Sequence, residues 1–179
     1  SHALYLDRVA SIRFKAGLFT NLTQDHLDFH KTMKNYAEAK ALLFSVSDAA
    51  ALNTDDAWAP FMAQRAACPT LGFGTHGGEE LAARDIRYDA AGVRFTAALG
   101  NQIVPVRLGI PGKFSVSNAL TALAAAALLD IPLDAAAASL ARSKGVRGRM
   151  EVVPTPDDLT VIIDYAHTPD ALEKALQSV

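Results

Sequence analysis

Thr20-Asn-Leu-Thr-Gln-Asp-His-Leu-Asp-Phe-His-Lys-Thr-Met-Lys-Asn-Tyr-Ala-Glu-Ala-Lys40 places Asp25, His26, Asp28, His30, Glu38 and Lys40 between two apolar runs. The run before it, Ala16-Gly-Leu-Phe-Thr20, reads as the end of a buried strand. The run after it, Met33 to Phe44, reads as a helix that aligns Tyr36, Lys40 and Phe44 at i, i+4 and i+8, with Thr32 as N-cap. Groups suited to a cation or an anion, set where a strand ends, are the pattern of an α/β nucleotide site.

Outward from this stretch the chain alternates. Ala49 to Leu52 reads as a strand that stops at Asn53-Thr-Asp-Asp56, with a helix over Ala57 to Ala67. Thr70-Leu-Gly-Phe-Gly74 is a further strand, and Thr75-His-Gly-Gly78 a flexible turn. From Asp85 to Ile110 the period becomes two, with turn signals at Ala91-Gly92 and Gly100-Asn101, which predicts a small antiparallel meander. Helices follow over Ser115 to Leu129 and Leu133 to Ser143; the alanines of the first suit close contact with a sheet. After the basic loop Gly145-Val-Arg-Gly-Arg149 come two strands, Glu151 to Val153 and Leu159 to Ile163, and a helix from Asp170. The expected fold is α/β, a mainly parallel sheet with a small antiparallel insertion. A boundary is expected near residue 150, giving units 1–149 and 150–179.

Bulk properties narrow the class. The chain has 179 residues, half of them hydrophobic and a fifth charged, with a formal net charge of -2. That balance supplies no electrostatic reason for a nucleic-acid partner. One cysteine, Cys68, excludes an internal disulfide framework and fits a reducing compartment. The longest apolar stretch, Ala119 to Leu129, is too short to span a bilayer, and the opening residues lack a basic signal-peptide region, so the cytoplasm is expected. Ser1-His2 opens without Met and Leu176-Gln-Ser-Val179 stops inside a helical pattern, so a piece of a longer protein is expected.

Each candidate group has two readings. His26 and His30, four apart with Asp25 and Asp28 nearby, could hold a metal, but the residues alone favour a polar loop of caps and turns, since zinc would want a third strong ligand. Lys40 is either a solvated lysine paired with Glu38 or Asp48, or an amine made reactive by desolvation. Asn53, Asp55 and Asp56 touch a ligand or, more simply, cap a helix. Asn118, a poor helix former within a helix, could pair with a purine edge or hold the preceding loop. Arg147 and Arg149 suit phosphate oxygens or form a basic surface loop. Asp164, followed by Tyr165 and His167, sits where a ribose- or metal-binding carboxylate would, or caps a helix. No Gly-x-x-x-x-Gly-Lys-Ser/Thr loop occurs, so any ATP site would draw its main phosphate cradle from outside this chain.

Taken together, the motifs resemble one family. Ser1-His-Ala-Leu4, Arg8-Val9, Phe19 to His30, Asn35-Tyr-x-x-Ala-Lys40, Asn53-x-Asp-Asp56, Gly148-Arg-Met-Glu151 and Asp164-Tyr-Ala-His-Thr-Pro-Asp-Ala-Leu172 occur in order. This resembles the Mur ligases, most closely the MurE type, the UDP-N-acetylmuramoyl-tripeptide synthetases of peptidoglycan assembly. The resemblance implies an ATP-dependent amide ligase that passes through an acyl phosphate. It joins a diamino acid, meso-diaminopimelate or alternatively L-lysine, to UDP-MurNAc-L-Ala-D-Glu. It implies units for ATP binding at 1–149 and for the start of a Rossmann-like amino-acid-binding domain at 150–179. It also implies that this stretch alone does not turn over.

By the same resemblance His26 binds Mg2+, and Lys40, carbamylated to N6-carboxylysine, supports that metal; these two are the catalytic and metal residues. Asn118 lies near adenine, Arg149 at the ATP phosphates and Asp164 on the ribose, with His167 in the same nucleotide-contacting segment. Ser1 and Arg8 contact the UDP-muramoyl-peptide, while Leu6 stands where some relatives carry a glutamine for that substrate. Under this resemblance residues 20 to 40 become half of a metal site, with Asp25, Asp28 and His30 as supports. Two alternatives are carried forward: another Mur-type or folylpolyglutamate synthetase-like ligase, and a non-catalytic nucleotide-binding module.

Overall fold

A computed structural model of the chain describes residues 1–23, 27–89, 91–156, 159–167 and 169–177. The first part runs α1 (His2–Tyr5), β1 (Phe14–Phe19), α2 (Leu27–His30), α3 (Met33–Ser45), β2 (Ser47–Asn53), α4 (Ala59–Arg65) and β3 (Thr70–Gly74). It continues with β4 (Leu81–Asp89), β5 (Gly92–Leu99), β6 (Gln102–Leu108), α5 (Phe114–Leu128) and α6 (Leu133–Leu140). The chain then forms β7 (Glu151–Val153), β8 (Val161–Ile163) and α7 (Pro169–Leu176).

One sheet of six strands, in the order β1-β2-β3-β4-β5-β6, carries the architecture. The pairs β1–β2, β2–β3 and β3–β4 are parallel, and β4–β5 and β5–β6 antiparallel. The expected meander is therefore no separate lobe; it extends the parallel sheet edge to edge. A parallel pair ordinarily needs a long crossover. Here β3 and β4 overlap only at Phe73 against Leu81 and Gly74 against Ala82, so six connecting residues suffice for a side-step.

Burial along β2 shows why the sheet is covered on both faces. Ala50, Ala51 and Leu52 are all buried, yet successive side chains of a strand point to opposite sides. Ala50 and Leu52 join a cluster with Tyr36, Ala37, Phe44 and Met62 from α3 and α4. Ala51 joins the other cluster, with Val116, Leu120, Leu123 and Ala124 from α5. A strand buried on both faces reads as a continuous apolar run. The same explains why β4 starts at Leu81, ahead of the expected Asp85. Leu81, Ala82 and Ala83 are buried together and show no alternation, and the strand is bulged between Arg84 and Arg87 before its exposed end at Arg87 to Asp89.

Helix α3 follows the expected signals closely. Thr32 is its N-cap, and its hydroxyl accepts from the Asn35 amide at 3.1 Å. In α5, Ala119 and Ala124 are buried in the cluster that also holds Ala51 of the sheet. Because Ala51 lies under α5 with no spare volume, Ala51→Leu should overpack the layer and lower stability by about 1–3 kcal/mol. Urea unfolding monitored by circular dichroism checks this; an unchanged midpoint would mean that the helix-to-sheet spacing is not set by these alanines.

Candidate active site

The carboxyl-terminal edge of the parallel strands gathers polar groups, as α/β sheets do at their ligand crevices. The connections leaving β1 and β2 are laced together there. Asn53, at the end of β2 and buried, donates its side-chain amide to the Thr20 carbonyl at 2.7 Å and accepts from the Asp55 amide at 3.2 Å. Asp56 accepts from the Leu22 amide at 3.0 Å and from the Trp58 amide at 2.9 Å. It thus holds the loop after β1 with one oxygen and the entry to α4 with the other.

Lys40 reaches this edge from α3. Its ammonium donates to the Asn21 carbonyl at 3.2 Å and lies 5.3 Å from the centroid of the Tyr36 ring. Neither carboxylate that the sequence offers as a partner is its own. Glu38 takes a two-pronged pair from Arg65, at 2.7 and 2.6 Å, and Asp48 takes Arg13 and Lys15 at 2.7 and 3.1 Å.

His30 is buried, stacks on Tyr36 with ring centroids 5.0 Å apart, and shares a hydrogen bond of 3.0 Å between its Nε2 and the Ser1 hydroxyl. Ser1, His30, Tyr36 and Lys40 thus form one contiguous chain of contacts. A cleft of about 520 Å³ opens beside this chain, lined by Tyr5, Phe29, His30, Asn35, Glu38 and Leu42. Lys40 lies outside its lining, on the strand-end side. Arg8 is exposed in the turn after α1. His26 and Asp25 lie outside the described residues, as does the side chain of Asp28.

A second group forms around β7 and β8. Asp164 accepts from the Met150 amide at 2.9 Å and the Ala166 amide at 2.8 Å, so its carboxylate ties the two strands' ends. The Arg149 guanidinium lies 4.6 Å from the Tyr165 ring centroid, and His167 packs against the same ring at 4.8 Å. Asn118 is exposed on α5 and shares no hydrogen bond with either group among the described residues. The sequence reading passed over the anchoring role of Asn53. Its signal was present, since a polar side chain directly after a buried apolar strand must find partners.

The chain belongs to the Mur ligase family. The Mur ligase middle domain matches residues 1–126, and the Mur ligase glutamate ligase domain matches residues 148–179. Among individual relatives, the UDP-N-acetylmuramoyl-L-alanyl-D-glutamate–2,6-diaminopimelate ligase of Clostridium botulinum is 40% identical over 180 residues, covering 99% of this chain and 37% of that protein. The enzyme of the same name from Lactiplantibacillus plantarum is 40% identical over 189 residues, covering 100% and 38%. A solved structure of such a diaminopimelate ligase superimposes with a TM-score of 0.86 at 32% identity, over 99% of this chain and 38% of that one. The chain thus spans little more than a third of the length of these relatives. A MurF ligase from Thermotoga maritima, at 22% identity and a TM-score of 0.79, shares the fold.

Two outcomes are expected from the site's geometry. Asn53→Ala leaves the Thr20 carbonyl and the Asp55 amide without their partner, which should cost about 1–3 kcal/mol. It should also speed exchange of the Asp55 amide in hydrogen-exchange NMR. The hydrogen bond from Arg65 holds the Glu38 carboxyl below the usual carboxylate range, and hydrogen bonds from Arg13 and then Lys15 do the same for Asp48. A carboxyl depressed in the folded state stabilises fully above its unfolded value, and that contribution is lost as pH falls through the folded one. The melting temperature should therefore decline on acidification, and Glu38→Gln should decline less steeply. Both pairs are exposed, so added salt should shrink the difference.

Proposed function

We propose that this chain is the central part of an ATP-dependent ligase that adds a diamino acid, meso-diaminopimelate, to UDP-MurNAc-L-Ala-D-Glu in the bacterial cytoplasm. The observation that carries the reading is the 40% identity over essentially the whole chain to two ligases named for that reaction. In the proposed reaction the substrate carboxylate attacks the γ-phosphorus of ATP, giving an acyl phosphate and ADP. The amine of the diamino acid then attacks the acyl carbon, and inorganic phosphate leaves with the bonding pair.

Residues 1–149 are proposed as the ATP-binding ligase unit, and 150–179 as the opening of the amino-acid-binding unit. The interval between the two family matches, after 126 and before 148, supports a boundary close to that point. Asn118, Arg149, Asp164 and His167 are assigned to the nucleotide, and Ser1 and Arg8 to the UDP-muramoyl-peptide. The Ser1 hydroxyl shares a hydrogen bond with His30, a residue that lines the cleft, and this supports the assignment of Ser1. Asp164 would keep one lone pair on each oxygen beyond those used by Met150 and Ala166, enough to accept from a ribose hydroxyl.

The residues also fit Mg2+, on one condition. An ammonium at Lys40 would repel a cation, and the carboxylates close to it in sequence, Glu38 and Asp48, are already taken by arginine and lysine. Addition of CO2 to the neutral amine, with loss of a proton, would turn Lys40 into an oxygen ligand that can support the metal together with His26. When bound, magnesium would neutralise charge on the transferring phosphoryl group.

The test uses the complete polypeptide that carries these residues. With UDP-MurNAc-L-Ala-D-Glu and Mg-ATP, mass spectrometry should find the diaminopimelate adduct, formed with one phosphate released per product. Lys40→Ala should lower kcat on the order of 10²–10³-fold. Preferential formation of the L-lysine adduct would overturn the amino-acid assignment. No adduct with either amino acid would favour a nucleotide-binding module. In calorimetry with Mg-ATP, Asp164→Ala and Asn118→Ala should each weaken binding, and unchanged affinity in both would remove these residues from the nucleotide site.

A further inference from the structure

Farther along the same sheet edge from Lys40, a cluster stands apart from the ligase reading. Asp55, just after β2, meets His76 and Glu79 from the β3–β4 connection, and one ligand atom from each lies within 4.8 Å of the others. His76 Nδ1 is 2.6 Å from Asp55 Oδ1. Asp55 is oriented by the Thr75 amide, 3.0 Å from both of its oxygens, and by the Thr75 hydroxyl at 2.9 Å.

Two independent features say that the cluster is built and not incidental. First, Glu79 Oε2 is sealed from water with no hydrogen-bond partner. A carboxylate oxygen in that state is costly unless a cation meets it. Second, the cradle depends on a missing side chain. A Cβ on Gly74 would lie 2.6 Å from Asp55 Oδ1 and 3.1 Å from Glu79 Oε1, so only glycine admits both carboxylates. Gly77 and Gly78, at φ of +87° and +98°, make the turn between His76 and Glu79.

A proton on His76 satisfies Asp55 but leaves Glu79 Oε2 unmet. An ion shared by all three side chains satisfies both. We infer that Asp55, His76 and Glu79 bind a divalent transition-metal ion of the zinc type, which clips the β3–β4 connection to the end of β2. One imidazole nitrogen and two carboxylate oxygens make three protein ligands, leaving a position for water. The nitrogen sets the preference, because magnesium favours an all-oxygen shell with several waters. Asp55 retains a lone pair for the metal while Thr75 holds its orientation from behind, the usual arrangement of an outer-shell donor. His76 gives up its Nδ1 proton to solvent when the ion binds.

The test is titration of the chelator-treated protein with Co2+, followed by visible d–d absorption, and then displacement by Zn2+. One ion should bind per chain. His76→Ala and Glu79→Gln should each weaken affinity about tenfold or more, by analogy with the 10–100-fold cost of losing even outer-shell partners. Cys68→Ser, which removes the only thiol, should bind as the parent does. His76 is exposed and Glu79→Gln is isosteric, so both variants should keep the parent's circular dichroism. Absence of saturable uptake, equal affinity in either variant, or displacement of Co2+ by equimolar Mg2+ would each overturn the site.

Discussion

The side-chain amide of Asn53 is the contact on which the strand-end geometry depends. Residues 20 to 23 leave β1 with no regular structure; Thr20 is half-buried and Leu22 buried, and a backbone group shielded from water and left unmet costs as much as a lost hydrogen bond. Asn53 meets the Thr20 carbonyl, and Asp56 meets the Leu22 amide. Between these two fixed points lies Asn21, whose carbonyl receives Lys40. The lysine therefore has a defined address because the loop has one. Neither tether is strong alone, at about 1 kcal/mol for a typical intramolecular hydrogen bond. Their effect comes from acting on adjacent residues of the same short segment.

Burial on both faces of β2 makes this economy possible. A strand with helices on each side cannot slide by one residue, since a slip would exchange its two apolar faces. Ala50 and Leu52 pack toward α3 and α4 while Ala51 packs toward α5, and all three are buried. The position of Asn53 is thus set from behind by the core, and it can orient a loop in front of it. The small side chains are part of the same logic, because alanine lets α5 approach the sheet without locking large rotamers.

Legibility followed the range of the interactions. Elements marked by local chemistry were readable to within a residue or two: the Thr32 cap and the Met33 start of α3, the Thr70 to Gly74 strand, and the turns at Ala91-Gly92 and Gly100-Asn101. The start of β4 was not, because Leu81, Ala82 and Ala83 are buried on both sides and carry no period. The partners of Lys40 were misjudged for a related reason. Glu38 is close to it in sequence but faces Arg65, 27 residues on, and Asp48 faces Arg13, 35 residues back. His76 was passed over as part of a flexible turn, since nothing local links it to an aspartate 21 residues earlier. The proposed site assignments rest on resemblance to a family, which supplies long-range pairings that spacing cannot.

The edge also separates two kinds of charge. The ammonium of Lys40 meets the loop after β1, whereas Asp55 follows β2 and Glu79 belongs to the β3–β4 connection. Charges on separate connections at a solvent-facing edge are weakened by water and salt, which screens over about 8 Å at physiological strength. Each charge has to be met where it stands. For Lys40 that is the Asn21 carbonyl and the Tyr36 face; for Glu79 the described residues provide no donor to Oε2, and this local deficit gives the β3 end a cation requirement of its own.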